Sequence, residues 1–354
     1  RPEYTDDATS SGGGNIYSLD NSGNITATAE AEDAAVYVAG VGSFSYAESG
    51  AGTATSSGGN IYSLTNSGNI KATGTSPYFA EVYGVYAYSE AESEESEVFS
   101  SGGNIYNLIN SGDITAEATV TGIMAKTEIP LQGPNAVVSA VSTLSYTYSG
   151  GSGDAVSSGG NIYSLENSGD ITATGTSNYE AKVSGVSVYS GANISDGYAT
   201  SSGGNIENLT NSGDITATGT ADYYVDAYGL SAYSEAYNGT GEAYSSGGNI
   251  YNLTNSGNIS ATAIAISEEV DSVEVPLQGS EAYAYGVFVY SYAYGDSYSE
   301  ASGGNITNLN NSGTISARAE GVDAYASGIY AEVSDGDSVT GGNIIGLSNS
   351  GDII

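Results

Sequence analysis

One phrase, Gly-Gly-Asn-Ile-x-x-Leu-x-Asn-Ser-Gly-x-Ile, occurs eight times in this chain, with its leading residue at Asn15, Asn60, Asn104, Asn161, Asn205, Asn249, Asn305 and Asn343. The steps between copies are 45, 44, 57, 44, 44, 56 and 38 residues. A period of this length held over a whole chain restricts the fold to stacked architectures, because each unit buries its apolar side only against its neighbours. The eighth copy admits Gly346 at a variable position and keeps the frame.

A second phrase follows most copies: Gly, then Val, Leu or Ile, then tyrosines alternating with small residues. It begins at Gly40, Gly84, Gly185, Gly229, Gly286 and Gly328, with Ala140 as the substituted copy. Each 44-residue unit thus divides into halves of about 22 residues, the length of one turn of a wide β-helix, which predicts two turns per unit. Fifteen half-units at roughly 4.8 Å each predict a rod on the order of 70 Å. The two long steps share one cause: Ile129-Pro130-Leu131-Gln132-Gly133 and Val275-Pro276-Leu277-Gln278-Gly279 are inserted at the same point of copies three and six. A three-unit super-repeat therefore overlies the shorter period. Proline cannot donate to a ladder, so the segments near 126–136 and 268–281 are expected to leave the sheet as loops.

In the second half, Val287, Val289, Ser291 and Ala293 alternate with Phe288, Tyr290, Tyr292 and Tyr294, the period of a strand with one buried face. The small set suits a narrow core, so the rings are expected to point outward. In the first half, Ile16, Leu19 and Ile25 are spaced across a Gly- and Asn-rich bend, which reads as short strands between tight turns. No helical period occurs. The chain reads as all-β, a single continuous parallel β-solenoid over 1–354 with both ends inside repeats. Stacking turns Asn21, Asn66, Asn110, Asn167, Asn211, Asn255, Asn311 and Asn349 into one ladder of side-chain amides. The glycine two places on, such as Gly23 or Gly68, suits a bend of positive φ.

Composition narrows the function. Five Lys and Arg against 41 Asp and Glu give a net charge of -36, which repels nucleic acid and anionic membranes and leaves cations, glycans and uncharged surfaces as partners. There is no Cys, and no apolar run long enough to span a membrane as a helix. Nothing at Arg1-Pro2-Glu3-Tyr4 reads as a signal peptide, so a mature or excised segment is expected.

Leu64-Thr65-Asn66-Ser67-Gly68-Asn69-Ile70, followed by Tyr83-Gly84-Val85-Tyr86-Ala87, resembles the right-handed β-helix repeats of bacterial autotransporter passenger domains and related large surface adhesins. The resemblance covers essentially the whole chain and implies an extracellular or cell-surface structural protein. That protein would be a rod or filament built by end-to-end stacking or as part of a longer chain, or an adhesin that binds glycans or a host surface.

Right-handed β-helices also include polysaccharide-active enzymes, the third reading. Lyase chemistry needs a strong base on a cleft, yet Arg1, Lys71, Lys126, Lys182 and Arg318 are scattered and there is no His. No position breaks the repeat to build a cleft, so no catalytic residue is assigned. The candidate contact surface is aromatic: Phe44, Tyr46, Tyr86, Tyr88, Tyr146, Tyr148, Tyr189, Tyr233, Tyr290, Tyr292 and Tyr330 are expected on one face, every second turn. Glu92, Glu94, Glu95, Asp335 and Asp337 support at most weak calcium binding, with no other cofactor implied. Thr26-Ala27-Thr28 and its equivalents resemble the Thr arrays of ice-binding solenoids, but Lys71, Glu117 and Arg318 interrupt the array and strand propensity accounts for the threonines. The Asn-x-Ser/Thr sequons are no more frequent than this composition produces by chance.

Overall fold

The computed structural model describes residues 7–10, 14–122, 134–266, 280–334 and 336–354. Residues 123–133 and 267–279, which hold most of both expected loops, lie outside the described residues, while Asn135, Ala136 and Glu281, at the ends of the expected ranges, belong to strands. The described chain is a parallel β-solenoid with no helix, built from four sheets that run its length. In the second coil, Ala54–Ser56 belongs to sheet I, Leu64–Asn66 to sheet II, Asn69–Ser76 to sheet III and Phe79–Ser93 to sheet IV. The chain then returns to sheet I at Val98–Ser100, beside Ala54–Ser56.

That closure corrects the expected two turns per unit. Val85 pairs with Val41 and Val141, and Asn66 with Asn21 and Asn110, so each half pairs only with its own kind one full repeat away. One turn takes the whole unit. The physical reason is that the halves are not interchangeable. A 15-residue strand forms one wall, and the Asn-Ser-Gly half supplies the short strands of the wall facing it across the core. Eight coils at a spacing of about 4.8 Å make a rod of roughly 34 Å, half the expected length.

Two apolar regions fill the coil. Ile61, Leu64, Ile70, Val82 and Val85 with their equivalents form the larger, and Ala54, Ala91, Val98 and Ala155 with theirs a smaller alanine-rich one. Each fully buried Ile or Leu contributes about 1.5–3 kcal/mol. Serines run between the two regions. Ser10, Ser45, Ser56, Ser89, Ser100, Ser145, Ser157, Ser190, Ser201, Ser234, Ser245 and Ser291 form an unbroken chain of hydroxyls with Oγ–Oγ distances of 2.8–3.1 Å. Sheets I and IV contribute alternate members, so the chain zips the two walls together.

The asparagine ladder forms over all eight copies. Each Nδ2 donates to the Oδ1 of the next coil at 2.7–2.8 Å, from Asn21 through to Asn349. A second ladder runs the other way. Asn60 donates to Asn15, and so on to Asn343 donating to Asn305, at 2.9–3.3 Å. The glycine expectation needs correction too. Gly23 and Gly68 do not have positive φ; that conformation belongs to the second Gly of each Gly-Gly pair, such as Gly59 at 72°. Gly68 is required because a Cβ there would lie 1.8 Å from the Gly23 carbonyl oxygen of the coil beneath.

Candidate functional site: the outer face of sheet IV

Sheet IV alternates as the sequence predicts. Val287, Val289, Ser291 and Ala293 are fully buried, while Phe288, Tyr290, Tyr292 and Tyr294 face outward. The alternation shifts phase once per coil. The ladder skips Gly84 opposite Ala140, so Val82 and Val85 both face inward, and Tyr83 and Tyr86 both face outward. Their rings meet face to face at 3.8 Å, which leaves Tyr86 only 5% exposed.

All the predicted aromatics lie on this face, in every coil rather than every second one, and in four columns rather than one. Phe44, Tyr88, Tyr189, Tyr233 and Tyr290 share a column with Leu144. Tyr46, Tyr146 and Tyr292 alternate with Glu90, Gly191 and Glu235 in the next. Tyr148 is registered with Glu92 on one side and Asn193 on the other, and Tyr86 and Tyr330 belong to the column of Phe288. Phe44, Tyr46 and Tyr148 are exposed; Tyr88 is half-buried beside Phe44 and Tyr86, and Tyr189, Tyr233 and Tyr290 pack along the axis on one another.

Carboxylates interleave with these rings and accept from their hydroxyls. Tyr46 donates to Glu92 at 2.8 Å, Tyr189 to Glu235 at 3.1 Å and Tyr330 to Glu332 at 2.8 Å; Tyr83–Glu81 and Tyr88–Glu90 pair in the same way. The aromatic surround raises the acids. Glu90 is pushed up to about 8 by burial, by the charge of Glu92 and by a hydrogen bond between the two. Asp226 rises to about 6 through burial, opposed by the Tyr224 hydrogen bond and the Lys182 charge. Burial also raises Glu235, and it pushes the Tyr83, Tyr189 and Tyr228 phenols up, so they remain neutral donors. Glu81 with Glu90, and Asp226 with Glu235, stand at matching positions three coils apart, which places the super-repeat on this face.

Of the calcium candidates, Glu92 accepts the Tyr46 bond, Glu94 and Glu95 sit in the turn after sheet IV, and Asp337 accepts from the Ser299 amide at 3.1 Å. Asp335 lies outside the described residues. Among the described residues no three acidic side chains gather around a common point for a metal. The described cations sit in ion pairs, Lys71–Glu117 and Lys182–Glu180 at 2.8 Å each and Arg318–Glu320. Sequence reasoning missed a second aromatic row. Tyr17, Tyr62, Tyr106 and Tyr163 stack on sheet II at 4.8–5.1 Å with interplanar angles of 2–11°. Its signal was present, a Tyr after Gly-Gly-Asn-Ile in successive copies.

No protein-family model matches the chain, and neither a curated protein nor a solved structure matches it.

Proposed function

We propose that the chain is an extracellular structural protein, a cell-surface rod or filament element that presents a tyrosine- and carboxylate-rich flank to its neighbours. The supporting observation is the pair of asparagine ladders and the serine chain. These polar columns occupy the interior and the turns of successive coils and link each coil to the next. Their hydrogen bonds between coils reward stacking. The two edges of a coil carry complementary groups, so a coil accepts another of its kind, whether from a longer chain or from a second copy.

Laterally, the net charge of -36 keeps rods apart until it is screened or neutralised. Sheet IV then offers exposed rings, Phe44, Tyr46 and Tyr148, and among them Glu90, which burial and the charge of Glu92 make readier to hold a proton. Rods are expected to separate at low salt and neutral pH and to bundle with divalent cations, high salt or mild acid. Light scattering and electron microscopy of the chain and of a Phe44, Tyr46 and Tyr148→Ser variant test this. Weaker bundling of the variant at unchanged melting temperature supports the reading; single rods under every condition defeat it.

A further inference from the structure

The outer face of sheet IV breaks its own pattern at one place. The column of Tyr83 continues with Ser139 and Ser184 before returning to Tyr228. The adjacent column runs from Tyr86 through Ser142, Ser187 and Ser231 to Phe288. A serine fills little of the space that a ring fills in the flanking coils. The two columns therefore form a trough along the rod axis, closed at one end by the stacked Tyr83–Tyr86 pair and at the other by Tyr228 and Phe288, 5.1 Å apart. At a coil spacing of about 4.8 Å the rings at its ends stand roughly 14 Å apart in one column and 19 Å in the other.

The floor is polar, and its hydroxyls reach solvent rather than a protein partner. Ser139, Ser142, Ser184 and Ser231 are only 6–9% exposed, and among the described residues none of these hydroxyls, nor that of Ser187, bonds to another protein group. The hydroxyls of the serine chain are paired with one another inside the coil, whereas these meet only solvent. Four such hydroxyls side by side are open to a ligand that takes the place of that water. One flank carries Lys182, and the other carries Leu144 and Tyr189.

We propose that this trough binds a neutral oligosaccharide lying along the rod axis, about three pyranose units long. A sugar chain offers what the lining lacks: hydroxyls that donate to and accept from the serines, and C–H faces that pack on the terminal rings. Neutrality follows from the charge of -36, which disfavours an acidic glycan. An extended peptide is the poorer fit. The sheet IV strands beneath the trough are paired on both sides, so no free edge exists for strand addition. The site goes beyond the structural role and holds whether or not rods bundle.

The test uses single rods of the whole chain at low salt and neutral pH. Cellotetraose, laminaritetraose and maltotetraose are titrated by calorimetry and by saturation-transfer NMR, with an oligo(Gly-Ser) peptide alongside. At least one sugar is expected to bind with a Kd of about 1 mM or tighter. The Ser142→Tyr, Ser187→Tyr double variant places in the trough the ring that coil two already carries, and it is expected to weaken binding at least about tenfold. Ser142→Ala with Ser187→Ala removes the hydroxyls without adding bulk and should also weaken it, which keeps the test open if the tyrosine variant misfolds. Tyr62→Ser, on sheet II, should change nothing. Failure of all three sugars to bind, undiminished binding by the folded variants, or preference for the peptide overturns the proposal.

Discussion

Replacing Asn167 with alanine removes a side chain that is only 3% exposed and sits in the middle of its ladder. Its Nδ2 donates to Asn211 Oδ1 at 2.8 Å and to the Gly169 carbonyl at 2.9 Å, and its Oδ1 accepts from Asn110 at 2.8 Å. Alanine leaves one N–H of Asn110 and the Asn211 oxygen buried without partners, and the half-buried Gly169 carbonyl without its donor. At about 1–3 kcal/mol for each stranded buried group, the cost is about 3–5 kcal/mol. Melting should fall by roughly 6–10 °C, and amide exchange should quicken first in the third to fifth coils, because each coil touches only its neighbours. Asn21→Ala provides the internal comparison. It strands one buried group, Asn66 Oδ1, while its other partners reach water, so about 1–2 kcal/mol is expected. Equal losses for the two variants, measured by thermal melting and hydrogen exchange, would refute the claim that the ladder stabilises the stack.

Ser157→Ala cuts the hydroxyl chain between Ser145 and Ser190 and should cost about 1–3 kcal/mol by melting; no loss would mean that the chain merely fills space. Glu90 binds its proton more tightly when folded, so its contribution is fully present below the unfolded value of 4.5 and is lost as pH rises to about 8. Melting temperature should therefore fall across that window, and Glu90→Gln should flatten the slope; an unchanged slope would place the effect elsewhere. Deleting residues 129–133, which keeps the Pro134 carbonyl that accepts from Ser177 Oγ, should leave cooperative melting intact, since an added loop carries little closure cost. Loss of cooperativity would make the insertion structural.

The sequence made the columns legible but not the path that joins them. Eight copies of one phrase specify that Asn66 stacks on Asn21, whatever shape the turn takes. They do not say which column faces which across the interior, because that depends on how the four sheets close. Ser56 and Ser89 each recur through six successive coils, yet their 2.8 Å contact joins sheets I and IV and becomes visible only once the coil is closed. The count of turns failed for the same reason. Two halves of similar length look like two turns until strand lengths are compared, and a 15-residue strand has no equal in the other half to lie on.

Glycine was misjudged by treating it as a conformational residue wherever it recurs. At Gly68 the constraint comes from the coil beneath, and it is absent at Gly23, whose Cβ would meet nothing within 4 Å. The same logic explains why the trough was invisible. Ser139, Ser142, Ser184, Ser187 and Ser231 are ordinary residues in a serine-rich chain, and no motif marks them. Their meaning comes from position, because each stands in a column whose other members include rings. In a stacked fold the departure that matters is a departure within a column, and the tolerance for it is asymmetric. Inward columns keep to Val, Ala and Ser because the core cannot yield, whereas outward columns move from Tyr to Ser to Glu without cost to the stack. Binding specificity in such a rod can therefore change along its outer columns while the ladders that hold it together stay fixed.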